Sequence, residues 1–153
     1  MKRRIKVVPG TWIFVPLHND QGILGLVIIH NPQGVAFGYF FGQLLSLQDI
    51  LSIPKYNLKD AIHTAIFSDM GLRDGTWKQL NMISSNEDYD FKLPPFEQKA
   101  PIRENGSIVT FSHDLLHEIE IRDIRPSEIG KYPSAGSNGS GFVEEILKRK
   151  LNL

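Results

Sequence analysis

Three apolar runs within the first 41 residues constrain the fold more than any other feature. They cover residues 11–17, 23–29 and 35–41, and each is rich in the β-branched and aromatic residues that are typical of buried strands. Polar turn segments of five residues, 18–22 and 30–34, separate them. Parallel neighbours need a long crossover, so strands joined by such short turns must pair antiparallel. The chain is therefore predicted to begin with an antiparallel meander.

Two glycines lie inside this meander, Gly25 in the second run and Gly38 in the third. Glycine inside a strand usually marks a bulge, sharp coiling or the close approach of another backbone. The runs are also apolar on both faces, so other elements should cover both faces. Together these features predict a strongly bent antiparallel sheet or a partly open barrel.

Weaker patterns along the rest of the chain predict further elements. Ser46 and Asp49 resemble a capping box and predict one or two helical turns before Pro54. Residues 84–101 are polar and proline-rich, which predicts an extended surface loop. Alternating or apolar segments predict strands at 2–7 (a short edge strand), 60–67, 76–83, 108–111 and 119–124, with turns at 69–71 and 73–75.

The clearest helix lies near the C-terminus. Val143, Ile146, Leu147 and Leu151 form one apolar stripe, after a small-residue segment at 134–141 that is predicted to be flexible. No internal repeat is visible, and the serine-glycine stretch is too short to separate domains. The predicted class is α+β, mainly β, with a C-terminal helix in a single domain over residues 1–153.

Charge and composition restrict the function. Lys and Arg number 17 and Asp and Glu 17, so no global field would steer the chain to nucleic acid or to anionic lipid. The chain has no cysteine, which excludes disulfides, thiolate chemistry and cysteine-based zinc sites. The longest apolar stretch, residues 23–29, is far shorter than the ~20 residues that cross a bilayer. We therefore expect a cytoplasmic protein without membrane contact.

Candidate catalytic and metal-binding residues lack the local context that their chemistry needs. His113 and His117 have the spacing of two helical zinc ligands, but in a strand their side chains would stand roughly 13 Å apart. Ser137 and Ser140 lie among glycines, but no buried strand precedes them as a nucleophile elbow requires; a linker and a helix N-cap explain them better. We therefore predict no catalytic residue, no metal and no cofactor.

Three other functions remain open at this point. Residues 34–41 resemble the aromatic strand of an RNA-recognition motif, although the leading basic residue and the surrounding layout are missing. A small barrel could bind a ligand or nucleic acid. An active site could also be assembled from distant residues such as His63, Asp69 and His113, because catalytic groups converge in space and not in sequence.

The predicted loop contains a candidate protein-contact surface. Glu87, Asp88 and Asp90 surround Tyr89 and Phe91, and interfaces often use aromatic anchors that are flanked by charges. The same pattern is compatible with a solvated loop that has no partner.

A set of glycines and aromatics, spread in order over most of the chain, resembles the pattern of the immunity protein 26 family. It begins with a glycine, two aromatics spaced by one residue, and a proline, and it ends with a glycine-rich turn and a helix. Thr11 and residues 44–58 depart from the pattern. The residues that carry the resemblance are Gly10, Trp12, Phe14, Pro16, Gly25, Gly38, Tyr39, Phe40, Gly42, Trp77, Gly141, Val143 and Glu144.

This resemblance implies an immunity protein of a bacterial polymorphic toxin system, which protects the producing cell from a toxin encoded nearby. It implies a non-catalytic inhibitor that binds the cognate toxin domain tightly in the cytoplasm. The glycines and large aromatics of the shared pattern are then expected to determine the fold. Contacts with the toxin are expected from variable loops, among them residues 87–91.

Overall fold

The computed structural model describes residues 5–99 and 106–153. Strands dominate, as predicted, and they form a seven-stranded sheet and a three-stranded sheet. The strands are β1 (Thr11–His18), β2 (Gln21–His30), β3 (Val35–Phe40), β4 (Leu45–Ser46), β5 (His63–Ser68), β6 (Lys78–Ile83), β7 (Phe96–Gln98), β8 (Ser107–Phe111), β9 (Glu118–Asp123) and β10 (Ser137–Asn138), and the helices are α1 (Met70–Asp74) and α2 (Ser140–Lys150).

The predicted meander is confirmed as the centre of the large sheet. The strand order is β10-β5-β3-β2-β1-β6, with β4 paired to β2. All pairs are antiparallel except β10 with β5, so the sheet is mixed, and it is not closed into a barrel. The first turn is tighter than predicted, because Asn19 and Asp20 adopt positive φ values of 47° and 64° and form a two-residue connection.

The two mid-strand glycines lie where neighbouring groups approach the backbone closely. A Cβ atom at Gly38 would lie 2.8 Å from the carbonyl oxygen of Leu26, and one at Gly25 would lie 3.1 Å from the side chains of Ile13 and Phe40. The register between β2 and β3 shifts directly after the pair of Val27 with Gly38. These close approaches and the irregularity are what glycine inside a strand predicts.

Both faces of the large sheet are buried, which explains why its strands are apolar on both sides. Helix α2 covers one face with Val143 and Leu147, in a core that includes Phe40, Phe67 and Trp77. The three-stranded sheet and the loops cover the other face, in a core that includes the fully buried side chains of Trp12, Leu24, Leu26, Phe37, Phe41 and Phe96. Strands of a sheet that is packed on both faces have little freedom to move.

The small sheet has the order β7-β8-β9, and its first strand corrects the prediction of a surface loop over 84–101. Phe96 is fully buried and meets Phe37 of the large sheet edge to face, with ring centroids 5.3 Å apart. Glu97 is also buried, and its carboxylate accepts a hydrogen bond from Gly130 N at 2.8 Å. Proline content is visible in the local sequence, whereas the burial of Phe96 and Glu97 depends on contacts with residues that are distant in the chain. Residues 100–101 of the predicted loop lie outside the described residues.

Two other local predictions agree with the structure only in part. The segment after Ser46 forms only a 3-10 turn, Leu47–Asp49, because Leu45 and Ser46 pair with β2 and Ser46 makes no side-chain cap. In place of the two turns predicted at 69–71 and 73–75, the chain forms the short helix α1. Asp69 at its N-cap pairs with Arg73 at i,i+4 spacing, and Gly75, with φ 84°, ends the helix.

The two terminal regions also differ from expectation. Of the predicted edge strand at 2–7, residues 2–4 lie outside the described residues. Residues 5–7 are not strand, and Val7 packs into the core. The segment predicted to be flexible, 134–141, contributes β10, which pairs with Ile66 and Phe67. The stripe of α2 is confirmed, but Gly139 and not a serine occupies its N-cap.

Candidate interaction surface

The segment that begins at Ser84 is attached to the first strand of the large sheet. Ser84 N donates to the carbonyl oxygen of Gly10 at 2.9 Å, and Trp12 Nε1 donates to Ser84 Oγ at 2.8 Å. Gly10 has φ 92°, and a Cβ atom there would lie 2.9 Å from the ring of Phe91. Two residues of the shared pattern, Gly10 and Trp12, therefore fix the position of this loop.

Internal hydrogen bonds define the shape of the loop. Asn86 Oδ1 accepts from Phe91 N at 3.2 Å, and Asp90 Oδ1 accepts from Lys92 N at 2.9 Å. The carbonyl oxygen of Ser85 accepts from the backbone N–H groups of Asp88 and Tyr89. A loop that is ordered in this way loses less conformational entropy when it binds a partner.

The structure divides the five residues of the predicted contact surface into two sets. Tyr89 meets Trp12 edge to face at 5.8 Å, and both Tyr89 and Phe91 are half-buried members of the core. Glu87, Asp88 and Asp90 are exposed. The two aromatics therefore anchor the loop, and the three carboxylates are the groups that a partner can reach.

The loop lies across the same face of the sheet as the small sheet. Burial, and after it the negative charge of Asp90, raise the pKa of Tyr39 on β3 above 10.0. Burial and the neighbouring Tyr89 likewise raise the pKa of Tyr56. Both phenols stay protonated at neutral pH, so neither adds a negative charge to this surface.

Most of the residues that carry the family resemblance are buried, hydrogen-bonded or in close contact with the core. Trp12, Phe40 and Val143 are fully buried, and Trp77 Nε1 donates to Glu144 Oε1 at 2.8 Å. A Cβ atom at Gly42 would lie 2.9 Å from Ile62, whereas nothing in the structure explains a glycine at position 141. Tyr39 is half-buried against Phe37, and Phe14 and Pro16 line an open groove of about 310 Å³ with Asp20, Ser46, Leu47, Gln48, Thr76 and Lys78.

Of the three residues suggested for a dispersed active site, His63 and Asp69 have separate structural partners. His63 stacks on Phe40, and burial, followed by the charge of Lys150, lowers its pKa to about 4, so the ring is neutral at pH 7. Asp69 lies just beyond the other end of β5, roughly 20 Å along the strand. There its carboxylate pairs with His30 at 2.8 Å and with Arg73 at 2.5 Å. His113 is exposed in the β8–β9 turn.

The structure also shows where the candidate nucleophiles and the aromatic strand lie. Ser137 lies in β10 and Ser140 begins α2. Phe37, Phe40 and Phe41 of the aromatic strand are buried and so cannot stack on bases. Within residues 5–99 and 106–153, no group of three or more His, Asp or Glu side chains could hold a metal ion.

Two features of the molecule were not anticipated from the sequence. One is the buried network of His30, Asp69 and Arg73, for which the i,i+4 spacing of Asp69 and Arg73 was the only local indication. The other is the exposure of Ile119 and Ile121 on β9, at 68% and 43%. An alternating strand usually turns its apolar side chains to the core.

Comparison with known protein families gave a match over much of the chain. The family model described as immunity protein 26 matches residues 8–107, a range that includes the large-sheet strands β1 to β6 and the loop that contains residues 87–91. Neither the curated proteins nor the solved structures contained a significant match to the chain. Among the described residues, no helix has both the length and the apolar character that crossing a bilayer requires. The family model covers well over half of the 153 residues of the chain, and the chain therefore belongs to the immunity protein 26 family.

Proposed function

We propose that this chain neutralises a cognate bacterial toxin domain by binding and covering it, without catalysing a reaction. The observation that carries the proposal is the family match over residues 8–107. The architecture supports it, since a sheet that is packed on both faces offers a rigid surface and its loops offer specificity. His63 and Asp69, two of the residues suggested for catalysis, are engaged in separate structural contacts, which also favours occlusion over chemistry.

Such an inhibitor must remain bound for longer than the toxin needs to act. An interface of standard size covers roughly 800 Å² on each partner, and pairs of toxins and immunity proteins are among the tightest complexes known. We place this activity in the cytoplasm and assign it to the chain as a single domain.

The exposed carboxylates of the anchored loop are proposed to belong to the contact surface. Glu87, Asp88 and Asp90 project from a loop whose backbone is held by internal hydrogen bonds and by Tyr89 and Phe91. Three like charges on an ordered segment favour a partner with a basic surface, because complementary charge accelerates association.

Co-expression with the toxin domain encoded beside this gene tests the proposed function. We expect growth to be restored and the two chains to co-purify at a constant ratio. Wild-type toxin with an empty vector verifies that the toxin is active. Continued killing while soluble, folded immunity protein accumulates would contradict the proposal.

Removing the charges of the loop should weaken toxin binding without unfolding the protein. The variant Glu87→Gln/Asp88→Asn/Asp90→Asn keeps the side-chain sizes and the acceptor that Lys92 N uses. We expect the dissociation constant for the toxin domain to rise about tenfold at low salt, mainly through slower association, with an unchanged melting temperature. Surface plasmon resonance at two salt concentrations measures this effect.

A charge-matched control separates the loop from a general charge effect. Asp49→Asn/Asp60→Asn/Glu145→Gln removes three exposed carboxylates elsewhere and should leave the affinity unchanged. Tyr89 is left intact in both variants because it packs on Trp12 and its loss would destabilise the fold. Equal affinity of the loop variant and the wild type would remove the loop from the interface.

A further inference from the structure

An apolar row of the small sheet extends from the core to the surface. Phe96, Val109 and Ile121 are neighbours across the three strands. Phe96 and Val109 are 0% exposed, whereas Ile121 is 43% exposed and Ile119 beside it is 68% exposed. The hydrophobic core is thus continuous with an uncovered apolar surface on β9, which we name the isoleucine stripe (Ile119 and Ile121).

The charged residues around the isoleucine stripe are mainly acidic. Glu118 and Glu120 are exposed on the same strand. Arg122, the one basic residue of β9, donates to both carboxylate oxygens of Glu128, at 2.9 Å and 2.7 Å. Its charge is therefore balanced within the chain. An apolar centre with an acidic rim is complementary to an apolar patch that is rimmed by Lys or Arg.

The geometry of β9 disfavours two other modes of contact. In the described part of the chain β9 pairs only with β8, so its outer edge could in principle accept another strand. However, the register shifts between Thr110 and Phe111, which leaves Ile119 as an extra residue, and such bulges hinder regular edge pairing. A second copy of this chain would also bring an identical acidic rim against Glu118 and Glu120. A different protein with a basic rim fits better.

We propose that the isoleucine stripe and its acidic rim are a second contact surface for the toxin domain and receive an apolar patch flanked by basic side chains. This inference rests on the proposed function. The stripe and the charged loop adjoin the same layer of side chains on the large sheet. Tyr89 and Phe91 of the loop pack in the core that contains Phe37 and Phe96, and Phe96 is linked through Val109 to Ile121 across the strands of the small sheet. We therefore assign both surfaces to one partner.

The test uses a catalytically inactivated form of the toxin domain encoded beside this gene. Ile119→Thr/Ile121→Thr removes apolar surface but keeps β-branched residues that suit a strand. We expect its dissociation constant for the toxin domain to rise at least tenfold, with a cooperative melting transition retained. Ile83→Thr is the matched control, because Ile83 is 62% exposed on the edge strand β6 of the other sheet, and its affinity should equal that of the wild type.

A second variant examines the rim. Glu118→Gln/Glu120→Gln should slow association and reduce the salt dependence of binding. If the wild type binds and both β9 variants bind equally well, the inference is overturned and the proposed function stands. If the wild type itself fails to bind and to protect, both are overturned. Sedimentation that shows a dimer lost only in the isoleucine variant, at unchanged toxin affinity, would assign the stripe to a second copy and also overturn the inference.

Discussion

Replacing Trp77 with alanine should lower the free energy of unfolding by about 3–5 kcal/mol, the cost typical of removing a large buried ring. Trp77 is 1% exposed and lies 5.5 Å from the ring of Phe67 and 6.0 Å from that of Phe40. Its indole N–H also donates to Glu144 of α2. The substitution therefore opens a cavity and releases a link between the sheet and the helix.

Thermal and denaturant unfolding measure this effect. For a chain of this size we expect the melting temperature to fall by roughly 10 °C. Trp77→Phe should cost less than Trp77→Ala, because it keeps a six-membered aromatic ring in the core, although it loses part of the indole volume and the hydrogen bond to Glu144. Phe142→Ala is the matched control. This aromatic lies on α2, the helix that Trp77 contacts through Glu144, but it is 57% exposed, and its loss should change stability by no more than about 0.5 kcal/mol. Equal costs for Trp77→Ala and Phe142→Ala would show that α2 does not depend on Trp77.

The elements that the sequence predicts correctly are those specified by local pattern. Strands β1, β2 and β3 combine β-branched and aromatic residues with short polar turns, so their identity and antiparallel pairing follow from neighbours in the chain. Helix α2 has an apolar stripe of helical period, and its last turn contains the basic residues Lys148, Arg149 and Lys150, which suit the C-terminal end of a helix. In these elements local preference and tertiary packing agree.

The elements that were missed depend on contacts between distant residues. β7 is a strand because it pairs with β8, and its Phe96 packs against Phe37 of the large sheet. β10 is ordered because Ser137 and Asn138 pair with β5, some 70 residues earlier in the chain. No pattern within either short segment encodes these partners, so proline and glycine content alone predicted loops.

The candidate surface was predicted only in part for the same reason. Composition identified residues 87–91 as charged and aromatic, but it could not separate Tyr89, which packs on Trp12, from the exposed carboxylates. The alternation in β9 predicted a strand correctly, yet the exposure of Ile119 and Ile121 depends on which residues of the strand other parts of the chain cover. Exposure is a tertiary property. Sites at which pattern and burial disagree are therefore good candidates for function.

Replacing Asp69 with alanine is the second substitution for which we expect a loss of about 3–5 kcal/mol, because it breaks a buried ionic network by removing its central member. The Asp69 side chain is 3% exposed and accepts from His30 and Arg73, whose side chains are 8% and 19% exposed. Its backbone N–H donates to Gly34 O at 2.9 Å, so the network connects the β2–β3 turn, the end of β5 and α1. Without the carboxylate, the His30 ring and the Arg73 guanidinium lose their acceptor in a region with little access to water.

The graded effects of three variants distinguish this network from an ordinary surface ion pair. Arg73→Ala should cost less than Asp69→Ala, because Asp69 keeps His30 as a partner and Arg73 is the most exposed of the three. Asp69→Asn should fall between them, since an amide retains one acceptor. Glu145→Ala, which removes an exposed carboxylate from α2, is the control and should change stability by less than about 0.5 kcal/mol. Urea unfolding of the four proteins measures the differences, and a loss for Asp69→Ala no larger than that for Glu145→Ala would mean that the network contributes nothing to the stability of the platform.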